Sequence, residues 1–72
     1  MMDTKPYIKP GLYRHYKGNT YRVFGTVLHT DWAVCFVVYG KEQVEWARPF
    51  SEFIGVVEVD EEEVYRFQFL GD

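Results

Sequence analysis

Turn-forming residues interrupt this 72-residue chain at short intervals, which limits the secondary structure that it can form. Gly18-Asn19 has the composition of a tight hairpin turn, and Gly25 predicts a bulge or a sharp bend in the segment that follows. The longest apolar run, from Ala33 to Tyr39, suits a central strand and is far too short to span a bilayer. We therefore predict short strands and no helix longer than a single turn.

The predicted fold class is all-β, a small SH3-like barrel of five to six short antiparallel strands with one helical turn near residues 49–53. Residues 1–10, which contain two prolines, are expected to form a flexible lead-in, and residues 11–72 a single domain. The strands are expected at 12–17, 20–28, 33–39, 44–48, 54–59 and 64–70. In the last of them, Tyr65, Phe67 and Phe69 alternate onto one face.

Aromatic residues give this short chain the means to build a core. They make up 19% of the sequence, and each ring buries a large area. The single cysteine, Cys35, excludes an internal disulfide, and its place in the apolar run predicts a buried, unreactive thiol in a reducing compartment. Met1 to Pro10 carries no signal-peptide pattern, so a cytoplasmic location without membrane attachment is expected.

Charge is distributed unevenly along the chain, whose net charge is −3. Residues 1–30 contain five Lys or Arg and one acid, whereas residues 31–72 contain three Lys or Arg and ten acids. An acidic protein is a poor non-specific ligand for nucleic acid, because such binding depends on neutralising phosphates. A local basic face remains compatible with this composition.

The first hairpin predicts a surface on which rings and cations alternate. With Gly18-Asn19 as the loop, Tyr13 lies opposite Phe24, and the core face carries Tyr21, Val23 and Val27 together with Arg14 and Tyr16. The opposite face then carries Tyr13, His15, Lys17, Arg22 and Phe24. A register slip of one residue would exchange the two faces.

Two interpretations of this basic and aromatic face stay open. It is either a platform that binds an anion or a base by charge and stacking, or a solvated hairpin whose rings lie under loops. The segment Trp46-Ala47-Arg48-Pro49 offers a similar choice, since its indole and guanidinium lie on the same side. They could hold a planar anion, or Trp46 could close one end of the barrel while Arg48 ties down a loop.

Catalytic and metal-binding chemistry receives little support from the sequence. His15 and His29 titrate near neutrality, but no serine or cysteine accompanies either in a nucleophile motif. Two histidines and one cysteine without close ligand spacing make a poor zinc site. The acidic turn at 58–63 lacks the glycine and ligand spacing of a calcium loop. We predict no metal and no cofactor.

Several strings of residues occur in an order that resembles a known bacterial family, the one catalogued as domain of unknown function 1653. They are Gly11-Leu12-Tyr13-Arg14-His15-Tyr16-Lys17-Gly18-Asn19, His29-Thr30, Val37-Val38-Tyr39, Trp46-Ala47-Arg48-Pro49 and Arg66-Phe67. The resemblance implies a small SH3-like barrel and no particular activity. The family's motif maps onto Arg14, His15, Tyr16, Lys17, His29, Tyr39, Trp46, Arg48 and Arg66, which are the candidate binding residues.

The sequence departs from that family's pattern in two loops. The stretch between Tyr39 and Trp46 looks shorter than usual, and Glu61-Glu62-Glu63 stands where an Asp-Gly turn is common. Both departures concern loop geometry and leave the expected barrel unchanged.

Three functional hypotheses follow. The first is a non-enzymatic binding module whose partner is a protein, a peptide or a small anionic ligand. The second is a small-ligand site for an anion or nucleotide, or an enzymatic site, built from Arg14, His15, Tyr16, His29 and Arg48. The third is weak RNA binding through the hairpin face. A monomer or a weak homodimer is expected.

Overall fold

A computed structural model describes residues 6–31 and 34–72, which form seven strands and one short helix. The strands are β1 (Gly11–His15), β2 (Thr20–Leu28), β3 (Cys35–Lys41), β4 (Val44–Pro49), β5 (Val56–Val59), β6 (Glu62–Tyr65) and β7 (Phe67–Gly71), and the helix is α1 (Phe50–Phe53). The predicted all-β class and the helical turn near 49–53 are confirmed. Within the described ranges, no helix has the length and apolar composition needed to cross a membrane.

The strands make two antiparallel sheets. Five of them lie in the order β4-β3-β2-β1-β7, and β5 pairs with β6 in a separate hairpin. The outermost strands of the large sheet are β4 and β7, and no ladder in the described part of the chain joins them. Closure into an SH3-like barrel therefore stays a prediction.

The predicted final strand at 64–70 is two strands in different sheets. Arg66 lies between them, where its backbone N–H donates to Gly55 O at 3.0 Å and its carbonyl accepts from Tyr16 N at 2.9 Å. The chain thus crosses from the small sheet to the large one at Arg66, so the predicted single face is divided. Phe67 is buried at 7% exposure, whereas Tyr65 is 68% exposed.

The loop of the first hairpin is longer than the two-residue turn predicted at Gly18-Asn19. Gly18 N donates to His15 O at 2.7 Å, and His15 N donates to Asn19 O at 2.7 Å. The loop therefore spans residues 16–19 instead of Gly18-Asn19 alone. Gly18 has a φ of +112°, which few residues other than glycine adopt.

This wider turn changes the hairpin register and exchanges the faces of β1. Tyr13 pairs with Tyr21 instead of Phe24, a shift by an odd number of residues. Tyr13 is consequently buried and Arg14 exposed, so the prediction that Arg14 and Tyr16 lie on the core face is wrong. Because Arg14 is exposed, its guanidinium does not need the buried partner that a core position would have required.

The predicted bulge at Gly25 is confirmed, because the β2–β3 register shifts between Val23 and Gly25. The shift changes which residues of β2 face the core. Val23 is 1% exposed, but Val27, beyond the bulge, is 46% exposed. The assignment of Val27 to the core face is therefore wrong.

The core consists of rings and aliphatic side chains held between the large sheet and α1. Its buried members are Ile8, Tyr13, Val23, Val37, Tyr39, Phe53 and Phe67. We call the sheet face that carries them the inner face. Ile8 belongs to the predicted lead-in yet packs in this core, and residues 1–5 of that lead-in lie outside the described residues. Cys35 is half-buried, less than the sequence predicted.

Phe53 connects α1 to the sheet. Its ring stacks on Phe67 with centroids 4.0 Å apart and planes 6° apart, and it meets Tyr13 and Tyr39 edge to face at 5.5 and 5.4 Å. Only 1% of Phe53 is exposed. This one side chain therefore fixes the position of the helical turn on the inner face.

Replacing Phe53 by alanine should lower the free energy of unfolding by about 3–5 kcal/mol, because it removes a buried ring and leaves a cavity. Phe24→Ala is the matched control, since Phe24 is 51% exposed and should cost about 1 kcal/mol or less. Urea unfolding followed by circular dichroism measures both. Equal losses for the two variants would contradict this account of the core.

Candidate functional site

His15 lies at the end of β1 among aromatic rings. Its ring centroid is 4.6 Å from that of Tyr16, 4.9 Å from Phe67 and 6.5 Å from Tyr21. Its Nδ1 accepts a hydrogen bond from the backbone N–H of Lys17 at 3.2 Å. Because Nδ1 accepts, the neutral ring carries its proton on Nε2, which leaves a donor for a further contact.

A group of rings continues from His15 toward β4. Tyr21 meets Tyr39 at 5.4 Å and Trp46 at 5.6 Å, both close to perpendicular. Trp46 pairs with Tyr39 across the β3–β4 ladder and is still 42% exposed. The inner face therefore ends in an open indole that can contact a planar or apolar group.

Glu52, in α1, holds two arginines beside these rings. Its carboxylate Oε1 lies 3.5 Å from Arg48 Nη1, and its backbone carbonyl accepts from Arg66 Nε at 3.1 Å. Arg48 Nε also donates to Tyr39 Oη at 3.4 Å. The Arg48–Glu52 pair is partly exposed and so contributes about 1 kcal/mol or less to stability. The Glu52 carboxylate thus occupies the Arg48 guanidinium, while its backbone carbonyl holds that of Arg66.

Lys17 supplies a third cation, with its Nζ 5.8 Å from the centre of the Tyr16 ring. We define the aromatic–cationic site as the set His15, Lys17, Tyr21, Trp46, Arg48 and Arg66. Three elements distant in sequence build it: the β1–β2 hairpin, β4 with α1, and the crossing between β6 and β7.

The charges of this site act on the pKa of His15. Desolvation lowers the pKa of His15 below its usual 6.5, and the charges of Arg48, Arg66 and Lys17 lower it further. The imidazole is thus neutral at pH 7 and lies in a positive field. A field of this sign favours an anion.

Seven of the nine sequence-predicted binding residues belong to this region or border it directly. Five of them are members of the site: His15, Lys17, Trp46, Arg48 and Arg66. Tyr39 is buried next to them, where its ring contacts Tyr21 and Trp46. Tyr16 covers the outer side of His15 and contacts Lys17.

Arg14 and His29 lie elsewhere. Arg14 is exposed at a β1 position that alternates away from the inner face. His29 follows the far end of β2, where its Nδ1 accepts from Asp31 N at 3.1 Å and its ring is 6.3 Å from Phe36. The set Arg14, His15, Tyr16, His29 and Arg48, which the second hypothesis requires, does not converge.

Two residues of this region escaped the sequence analysis. Tyr21 was assigned to the core, but it is half-buried at the centre of the ring group. Its alternation with Val23 identified the correct face without showing that this face is partly open. Glu52 carried a usable signal, because it lies four residues after Arg48, close enough in sequence for the two opposite charges to meet across the turn that Pro49 begins.

A groove of about 970 Å³, lined in part by His15, lies next to the aromatic–cationic site. Apolar residues line most of it, including Tyr13, Phe67, Val59 and Val64. Tyr21, Trp46, Arg48 and Arg66 do not line it. Arg48 and Arg66 therefore lie beside this groove and do not line it, and their positive charge belongs to the open aromatic–cationic site.

Among the residues that the structure describes, no group of three or more His, Cys, Asp or Glu side chains is arranged to hold a metal ion.

The fold and the site define a small antiparallel β domain that presents rings and cations on one open face. The family model described as "Protein of unknown function (DUF1653)" matches residues 11–69, so the chain belongs to this family. A crystal structure of a protein belonging to DUF1653 from Bordetella bronchiseptica is similar, with a TM-score of 0.78 and 26% identity. That match covers 89% of this chain and 88% of the other. The comparison with curated proteins gave no match.

The field at His15 leads to a titration experiment. Arg66→Gln should raise the pKa of His15 toward 6.5, because it removes one of the neighbouring charges. Arg22→Gln should leave the pKa unchanged, since Arg22 is exposed on the opposite face of the sheet. NMR of the imidazole Cε1–H resonance against pH measures both. Equal shifts in the two variants would contradict the local origin of the effect.

The same lowered pKa fixes the sign of a pH effect on stability. The unfolded chain binds the His15 proton more readily than the folded chain does, so protonation favours unfolding. The contribution of His15 to the free energy of unfolding should therefore fall as the pH drops below about 6.5. His15→Gln should flatten that part of the pH profile. A steeper profile in His15→Gln would show that the sign is wrong.

Proposed function

We propose that this domain is a non-enzymatic binding module that holds an anionic group of its partner at the aromatic–cationic site. The observation that carries the proposal is that Glu52 contacts both Arg48 and Arg66 beside the His15 end of β1, with Lys17 and the exposed ring of Trp46 nearby. A cytoplasmic location, as expected from the sequence, forms part of this proposal.

The charges support an anion as the recognised group. The Arg48 side chain is 30% exposed, so its guanidinium can still form a forked pair of hydrogen bonds with a carboxylate or phosphate. His15 offers a neutral donor through Nε2. An incoming anion would also offset the positive field of Arg48, Arg66 and Lys17, which adds to desolvation in lowering the pKa of His15.

The rings support a ligand that carries a planar or apolar body next to its charge. Trp46 is 42% exposed although it contacts Tyr21 and Tyr39. An open indole beside a guanidinium can stack on one part of a ligand while the cation binds another.

Binding fits the site better than catalysis does. The contacts of His15 described above are with three rings and a backbone amide, which orient the imidazole without relaying a proton. A long polyanion fits less well, because Glu52 borders the site and the chain carries a net charge of −3.

Inorganic phosphate should raise the pKa of His15 in the folded protein, and phenyl phosphate should do so at about tenfold lower concentration because its ring can stack on Trp46. Trp46→Ala should abolish the advantage of phenyl phosphate while leaving the response to phosphate in place. NMR titration at constant ionic strength measures both ligands.

Phe24→Ala and Arg22→Gln are the controls for these titrations, since each removes an exposed ring or cation from the opposite face. Both should behave like the unmodified protein. If neither ligand moves the His15 resonances, or if Arg66→Gln responds as strongly as the unmodified protein, the proposed function is wrong.

Glu52→Gln should strengthen phosphate binding by up to about fivefold, because it removes the carboxylate that competes for Arg48. The backbone carbonyl that holds Arg66 is retained in this variant. Glu45→Gln, an exposed acid on the other side of β4, is the matched control. Phosphate titration of Glu52→Gln, Glu45→Gln and the unmodified protein measures this effect. Weaker phosphate binding by Glu52→Gln would contradict the prediction and mean that this carboxylate orients Arg48 more than it competes with the anion for it.

A further inference from the structure

β4 is an open edge of the five-stranded sheet. In the described structure it pairs with β3 alone, and Val44, Glu45, Trp46 and Ala47 are all exposed. An edge strand presents backbone N–H and C=O groups that another extended chain can pair with.

The hairpin register shows which backbone groups of β4 are available. A two-residue turn joins β3 to β4, with Lys41 opposite Val44 at its base. Residues that flank such a turn form a hydrogen-bonded pair, and bonded and non-bonded pairs then alternate along the ladder. The backbone groups of Glu45 and Ala47 therefore point away from β3 toward the open edge.

The usual protections of a strand edge are weak here. The β3–β4 ladder contains no register shift, so no bulge twists the edge away. Pro49 blocks only the last position of the strand. The side chains beside the outward-pointing groups of Ala47 are Trp46 and Arg48, which both belong to the aromatic–cationic site.

We propose that the partner of this domain is an extended acidic peptide segment that adds to the large sheet as a strand beside β4. This inference rests on the proposed function, because the anion that the site holds would be a carboxylate of that segment. Backbone hydrogen bonds to Glu45 and Ala47 would fix its position, and Arg48 would select its charge.

The two faces of β4 specify the side chains of the guest strand. Guest residues on the inner side face Trp46 and Arg48, so at least one is Asp or Glu. Guest residues on the other side face Ala47 and a shallow apolar groove of about 500 Å³ that includes Val27 and Phe36. Since side chains alternate along a strand, the guest alternates acidic and apolar residues.

A blocked fluorescent peptide of alternating valine and glutamate is the probe, and fluorescence anisotropy measures its affinity. Ala47→Pro should weaken binding about tenfold or more, because it removes a backbone N–H that the guest needs. Ala47→Ser keeps that N–H and should bind like the unmodified protein. A peptide of the same composition, with all valines before all glutamates, should bind more weakly than the alternating one.

Phosphate titration of His15 separates this inference from the proposed function. Ala47→Pro should keep the phosphate response, since every member of the site is present. If phosphate binds but Ala47→Pro and Ala47→Ser bind the peptide equally, the strand-addition proposal is wrong and the proposed function stands. If phosphate does not bind, the proposed function is wrong whatever the peptide does.

Two further experiments address the possibility that Ala47→Pro misfolds and the possibility that a second copy of the protein occupies the β4 edge. If Ala47→Pro loses its native circular dichroism spectrum, the test uses the unmodified protein and two peptides instead. One peptide is N-methylated at every odd-numbered amide and the other at every even-numbered amide. One of them should fail to bind, and equal affinity of both peptides would overturn the proposal. If sedimentation shows that the unmodified protein self-associates through β4, and Ala47→Pro abolishes this, a second copy occupies the edge and the proposal is wrong.

Discussion

The parallel contact between Phe53 and Phe67 is the interaction on which the rest of the molecule depends. Phe53 is the last residue of a four-residue helix that could not persist by itself, because so short a helix gains too few hydrogen bonds to offset its ordering. Phe67 begins β7, which completes the large sheet. The stacking of the two rings, with centroids 4.0 Å apart, therefore holds the helical turn against β7, the last strand in the order β4-β3-β2-β1-β7.

The aromatic–cationic site is a direct consequence of that contact. With Phe53 in the core, Glu52 is placed where its carboxylate meets Arg48 and its carbonyl meets Arg66. Two cations from segments that are distant in sequence are thus brought beside His15. This arrangement costs stability only at acidic pH, because desolvation and the neighbouring positive charges disfavour the protonated imidazole and lower the pKa of His15.

The site and the open edge share β4. Trp46 and Arg48 extend to one side of the strand, while the backbone groups of Glu45 and Ala47 point along the sheet plane. A ligand that used the edge would necessarily pass the rings and the guanidinium. Five of the chain's eleven acids, Glu58, Asp60, Glu61, Glu62 and Glu63, lie exposed in the β5–β6 hairpin, away from the aromatic–cationic site.

Much of the fold could be predicted from the sequence because local signals carried it. Pro49 and the segment after it predicted the helical turn, Gly25 predicted the bulge, and the apolar run ending at Tyr39 predicted a central strand. The final strand was predicted wrongly because alternation of Tyr65, Phe67 and Phe69 continues across Arg66. Only the long-range bonds from Arg66 to Gly55 and Tyr16 divide it, and no local pattern records those.

The sequence by itself determined the all-β class, the family, and the residue types of the site, since side-chain chemistry and spacing are local properties. Tertiary structure alone decided which face of β1 turns inward, because a wider loop moves the register by an odd number of residues and exchanges Tyr13 and Arg14. It also decided that His15, Trp46, Arg48 and Arg66 meet while Arg14 and His29 do not. Convergence of that kind depends on contacts between segments far apart in the chain, and such contacts leave no periodicity to detect.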